Sequence, residues 1–172
     1  MNRNTSWKIS LGILLCLSAC GKGEVDDGVY FQNFDNLLWW TRNASVSYEQ
    51  VHSGGYSAYV DSAHEFSHTF EMDYEFAKEK KFRRAQITAW CFKPKREAQV
   101  GLVASLEAPG KQVAVASLDF QKDLEVSETW LNVVLFLDIP QQAPSGTKFK
   151  VYLYSPHGDK GFMDDVKISF QK

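Results

Sequence analysis

Glu65-Phe66-Ser67-His68-Thr69-Phe70-Glu71-Met72-Asp73-Tyr74-Glu75-Phe76 alternates in nature at every step. Phe66, His68, Phe70, Met72, Tyr74 and Phe76 share one face, and Glu65, Ser67, Thr69, Glu71, Asp73 and Glu75 the other. Period two marks a strand buried on one side. The run is long for one strand, which predicts a bulge or break near Asp73. Outward from it the same period recurs. It is seen in Ala85, Ile87, Ala89 and Cys91, and in Val100, Leu102, Ala104 and Leu106. It returns in Leu131 to Ile139, in Phe149, Val151 and Leu153, and in Val166, Ile168 and Phe170; Val113 to Phe120 is a further β-prone run. Turn signals punctuate these runs at Ser53-Gly54-Gly55, Ala108-Pro109-Gly110, Ala143-Pro144-Ser145-Gly146 and Ser155-Pro156-His157-Gly158. Eight or more short strands so separated predict an all-β, two-sheet antiparallel β-sandwich. The one helix-like segment, Phe76 to Arg84, lacks an apolar stripe.

The N-terminus reads differently. Arg3 and Lys8 precede an apolar run from Ile9 to Leu17, closed by Leu17-Ser18-Ala19-Cys20. The run is too short to span a bilayer, and its order is that of a secretory signal peptide. The ending resembles the lipobox of bacterial lipoproteins. That resemblance implies cleavage before Cys20 and lipid on it, with acyl chains enough for stable anchoring. The expected organisation is a signal peptide over 1–19, a lipidated cysteine and short tether over 20–28, and one β-sandwich domain over 29–172. The implied address is export and a membrane anchor, with Gly21 in place of the aspartate of inner-membrane retention, hence the outer membrane. Whether the domain then faces the periplasm or the cell surface stays open.

Composition narrows the partners. Removing residues 1–19 leaves 153 of 172 residues and deletes two positive charges and no acid, taking the formal net charge from −2 to −4. Nucleic-acid binding wants a clustered basic face; Lys78, Lys80, Lys81, Arg83 and Arg84 cluster, but among acids, and read as a solvated loop. Of three cysteines, Cys16 leaves with the signal and Cys20 carries lipid. Cys91, in the apolar run Ala89-Trp90-Cys91-Phe92, is expected to be a small buried hydrophobe.

Phe34-Asp35, Trp40, Ser53-Gly54-Gly55-Tyr56-Ser57, Phe70-Glu71, Ala89-Trp90, Thr129-Trp130-Leu131-Asn132-Val133, Ile139-Pro140, Lys150-Val151-Tyr152-Leu153-Tyr154 and Asp164-Asp165-Val166-Lys167-Ile168 follow one another along the chain. In order and spacing they resemble carbohydrate-binding-module-like jelly rolls of the galactose-binding-domain type. The resemblance implies a jelly roll, non-catalytic binding or structural roles, and core positions for Trp90 and Trp130. It also implies one structural calcium ion held by Asp35 and Asp165, with Asp164 as substitute and backbone oxygens near Ser53. Such a hard cation takes six to eight oxygens. The alternative for Asp164-Asp165 is a turn before a strand.

His64-Glu65-Phe66-Ser67-His68 matches the zinc-protease pattern, which works only on a helix. On a strand the two histidines would lie about 13 Å apart, so no zinc is expected. Glycoside hydrolysis needs two carboxylates at fixed separation in a cleft, which spacing alone does not reveal. For ligand binding, flat rings that stack on sugar faces are the candidates: Trp40, Tyr152 and Tyr154, with Trp39 and Tyr48 behind them. The reading favoured is a membrane-anchored lipoprotein binding glycan or glycoconjugate at the cell surface. The alternative is a structural or protein-interaction lipoprotein, with a cell-surface protein as partner. A hydrolase is the distant third.

Overall fold

The computed structural model describes residues 28–35 and 45–172. The signal peptide, Cys20, the tether up to residue 27, Trp39 and Trp40 lie outside the described residues. Ten strands are described: β1 (Val29–Gln32), β2 (Val46–Ser47), β3 (Ser57–Val60), β4 (Phe70–Asp73), β5 (Arg84–Phe92), β6 (Gly101–Ala108), β7 (Lys111–Asp119), β8 (Leu131–Asp138), β9 (Lys148–Tyr154) and β10 (Gly161–Gln171). Two short helices, α1 (Tyr74–Glu79) and α2 (Phe120–Asp123), interrupt them.

The strands form two antiparallel sheets. One runs β2-β3-β10-β5-β8, with β1 also on β10; the other runs β4-β9-β6-β7. This is the expected β-sandwich jelly roll. Its core lies where period two put it: Ile87 and Ala89 of β5, Leu102 and Leu106 of β6, Phe149, Val151 and Leu153 of β9, and Ile168 of β10 are all buried. The first and last strands are neighbours, Val29 facing Ser169 and Gln32 facing Val166. Strand β10 holds β3 along Gly161–Met163 and β1 along Val166–Ser169 on one edge. At the junction its register against β5 shifts, and Asp165 takes φ 46°. Asp164 and Asp165 thus occupy a bulge inside the last strand, not a turn ahead of it.

The opening stretch is corrected in detail. Phe70–Asp73 alone forms a continuous ladder, with Lys148 to Val151, while Phe66 makes an isolated bridge to Tyr154. Ser67, expected outward, is buried. Its N–H donates to the Leu153 carbonyl at 3.1 Å and its Oγ accepts the Leu153 N–H at 2.8 Å, replacing a backbone carbonyl in the ladder. The expected break at Asp73 is a helix start, one residue later. The helix spans Tyr74–Glu79, earlier than Phe76–Arg84, and buries Tyr74 and Ala77. Trp90 and Trp130, expected in the core, are half-buried on the outer face of the six-stranded sheet. There the His52 ring stacks on Trp90 with centroids 4.0 Å apart, and Trp130 meets His52 edge-on.

Candidate functional site: a cleft on the four-stranded sheet

Strand β9 alternates across its sheet, so Phe149, Val151 and Leu153 enter the core while Lys150, Tyr152 and Tyr154 face outward. The register sets Tyr154 beside Gly101, Tyr152 beside Val103 and Lys150 beside Ser105. Gly101 has no side chain, so the sheet surface dips beside Tyr154. A cleft of about 570 Å³ opens there, bounded by Tyr152, Tyr154, Val115 and the β7–α2 corner. Phe66 adds the missing ring. It is 45% exposed, stacks on Tyr154 at 5.0 Å and meets Tyr152 edge-on at 5.7 Å. Tyr152 and Tyr154 were legible as ligand candidates; Phe66 was not, because period two assigned it to the core. Its bridge to Tyr154 carries it to the outer face.

The cleft wall offers uncharged polar groups as well: Gln99, Gln112, Gln121 and Ser117 all line it. Charges near it are paired within the protein. Lys122 binds Asp119 at 2.8 Å, which holds the Asp119 carboxyl below its ordinary range. Glu107 receives Lys150 at 2.8 Å, the Ser105 hydroxyl at 2.7 Å and the Tyr152 hydroxyl at 3.2 Å. Burial pushes the Glu107 carboxyl up, but these donors and the Lys150 charge outweigh it and leave it below the usual carboxylate range. Burial raises the Tyr152 phenol. Tyr152 is therefore a neutral ring locked in orientation by its own hydroxyl.

Lys93 is a second residue that sequence reasoning missed. It is fully buried, and its Nζ donates to the carbonyls of Phe120 at 2.6 Å, Leu124 at 2.8 Å and Arg96 at 3.2 Å. Two of those carbonyls belong to α2 and its C-cap, so a buried cation fixes the corner that carries Gln121 and Lys122 into the cleft. Asp119 caps that helix, accepting from the Gln121 N–H at 2.9 Å. The only sequence signal was a lysine closing the apolar run Trp90-Cys91-Phe92.

The carboxylates assigned to calcium converge, but on a loop. Asp164, fully buried, accepts the backbone N–H groups of His52 and Ser53 at 2.9 and 3.1 Å and of Asp165 at 2.8 Å. Asp165 accepts the Ser53 hydroxyl and pairs with His52 Nδ1, both at 2.7 Å. Asp35 accepts the N–H of Gly55 at 2.7 Å and of Tyr56 at 3.2 Å, and Asn33 Nδ2 at 3.2 Å. Every oxygen of the three carboxylates meets a hydrogen-bond donor of the protein. Among the described residues no group of three or more His, Cys, Asp or Glu could share an ion. In this arrangement hydrogen-bond donors, most of them from the 52–56 loop, engage the carboxylates that the resemblance assigned to calcium.

His64 and His68 lie on non-helical backbone, His64 paired with Asp61 at 2.9 Å and His68 buried in the sandwich. Cys91 is buried, and burial pushes its thiol far up, out of the reactive range. Tyr48 is 83% exposed and stands apart from the cleft lining.

No protein-family model and no curated protein matches this chain by sequence. Solved structures do match by shape. The C-terminal family 22 carbohydrate-binding module of Clostridium thermocellum Xyn10B aligns at TM-score 0.54 and 10% identity, over 86% of this chain and 96% of that one. The CBM22-2 xylan-binding domain of Paenibacillus barcinonensis Xyn10C aligns at 0.51 and 17% identity, over 83% and 99%. The CBM35 of Cellvibrio japonicus Abf62 aligns at 0.51 and 12%, over 81% and 91%. The fold is thus the jelly roll of carbohydrate-binding modules.

Proposed function

We propose that this protein is a non-catalytic, membrane-anchored lipoprotein that holds glycan in the cleft of its four-stranded sheet. The observation that carries the reading is the ring cluster of Phe66, Tyr152 and Tyr154 beside three glutamine amides and a serine. Rings present flat apolar faces to sugar C–H groups, and amides match hydroxyls as both donors and acceptors. The charges around the cleft are already paired, which suits a neutral saccharide. Two of the shape neighbours come from proteins whose domains are named for carbohydrate or xylan binding, so xylan is the first ligand to try.

A glycan array on the mature protein, followed by calorimetry on retained sugars, tests the binding. Tyr154→Ala and Phe66→Ala should each weaken binding roughly tenfold or more while the fold persists. Absence of any retained glycan, or unchanged affinity in both variants, would refute the site. Anchoring has its own test. Cys20→Ser should leave the protein uncleaved or released from the lipid-anchored fraction; normal processing with unchanged membrane association would remove the lipoprotein reading.

A further inference from the structure

The basic segment between α1 and β5 has no part in the glycan cleft, yet it is built with care. The helix ends in two reciprocal hydrogen bonds: the Phe82 N–H reaches the Ala77 carbonyl at 2.9 Å, and the Lys81 N–H reaches the Lys78 carbonyl at 3.0 Å. This C-terminal motif requires a left-handed residue, usually glycine. Here it is Lys81, at φ 62°. A charged side chain is thus kept where its backbone is strained. It contributes to a small pocket of about 140 Å³ lined by Lys78, Lys81, Phe82, Arg83 and Pro140, with no carboxylate in the lining. Lys78 is paired with Glu75 at 3.0 Å, but Lys81 and Arg83 stand in no ion pair among the described residues.

Phe82, between those two cations, is also where the N-terminal segment joins the domain. Gly28 packs so closely on it that a Cβ there would lie 2.7 Å from the Phe82 ring, and the Gly28 carbonyl accepts the Phe170 N–H at 2.8 Å. Gly28 lies only eight positions beyond Cys20, at most about 28 Å of extended chain. The chain therefore leaves the domain beside its unpaired cations. The cleft's rings are at the other end: Asp73 next to α1 pairs with Lys148 at the start of β9, and Tyr154 ends that strand, about 20 Å away.

The geometry points to a second binding surface: Lys78, Lys81 and Arg83 receive the phosphate of anionic lipid headgroups in the bilayer that holds Cys20. This rests on the anchoring reading proposed above. A tethered domain samples the surface at high effective concentration, and each basic residue near an anionic bilayer favours contact. Docking there turns the ring end of the cleft away from the membrane, towards an incoming polymer.

The test uses the mature protein with its own lipid, reconstituted into vesicles of phosphatidylcholine alone or with phosphatidylglycerol. Lysine acetylation by an impermeant reagent is then read residue by residue. Lys81 labelling should fall about fivefold or more when phosphatidylglycerol is present, and recover at high salt. Lys95, beyond the far end of β5, should not change. Arg83→Gln should reduce the Lys81 protection several-fold. In Lys81→Gly, Lys78 becomes the reporter: its protection should fall although the melting temperature holds or rises, since glycine relieves the left-handed backbone. Equal Lys81 labelling in both vesicles overturns the inference. So does equal protection by inorganic phosphate in detergent, which would assign the pocket to a free anion. A Cys20 of unmodified mass would instead overturn the anchoring itself.

Discussion

Gly54 has no room for a methyl group. Its φ is 65°, and a Cβ would lie 1.9 Å from Asp35 Oδ2. Gly54→Ala should cost about 1 to 3 kcal/mol, read as a lower urea midpoint. Because the obstacle is a side chain, Asp35→Ala should relieve part of that cost, and the double variant should lose less than the sum of the two singles. Strict additivity would mean that backbone strain alone sets the penalty. Lys93 makes the opposite case, a charge that needs its surroundings. Lys93→Met leaves three carbonyls to find new partners and should cost about 3 kcal/mol or more. It should also weaken glycan binding by loosening the α2 corner. Intact affinity in a folded Lys93→Met would show that α2 is positioned without it. Residues of this kind are poorly legible in sequence. A buried lysine looks like any lysine until its carbonyl partners, from residues 96, 120 and 124, are known. Tyr152 and Tyr154 were legible because a strand's period is local.

Among elements, β6 and β9 carry a titratable device across their ladder. Glu107 on β6 is held below its ordinary value of 4.5 by Lys150 and Ser105 against the opposing effect of burial. A carboxylate depressed in the fold stabilises it above the unfolded pKa, and that contribution disappears as pH falls through the folded pKa. Stability of the native protein should therefore decline below about pH 4.5. Glu107→Gln should be less stable at neutral pH and show a shallower decline on that acid limb, measured by urea midpoints across the range. Parallel acid limbs would show that Glu107 is not the group responsible. The bulge in β10 is the other element-scale feature. It lets one strand serve β3 with its first residues and β1 with its later ones, and the Asp164 carboxylate fills the gap by binding the 52–53 backbone. Asp-Asp ahead of an apolar alternation suggested a turn or metal ligands. It is a bulge because the partner changes there, which no local pattern records.

At the scale of the molecule, β1, β10 and the loop between β2 and β3, all of the six-stranded sheet, are joined by hydrogen bonds where the family resemblance placed an ion. Calcium should leave the melting temperature unmoved, and chelation should not lower it. A cation bound only by the folded state would raise it with concentration, roughly 2 to 4 °C for each kcal/mol in a domain near this size. A calcium-dependent rise that Asp165→Ala abolished would reinstate the ion. Sequence alone determined the sandwich. Alternation in β5, β6, β8, β9 and β10 dictates which side chains are buried, and a one-residue slip would turn each set to water. It also identified the outward tyrosines of β9. Tertiary structure decided what depends on distant partners. Phe66 joined the cleft because Tyr154 pairs with it across the sheet, and Trp90 left the core to receive His52. Asp164 found backbone N–H groups more than a hundred residues away. Side-chain period is a property of neighbouring residues, whereas a cleft, or a carboxylate bound to a distant loop, arises only when residues remote in the chain are brought into contact.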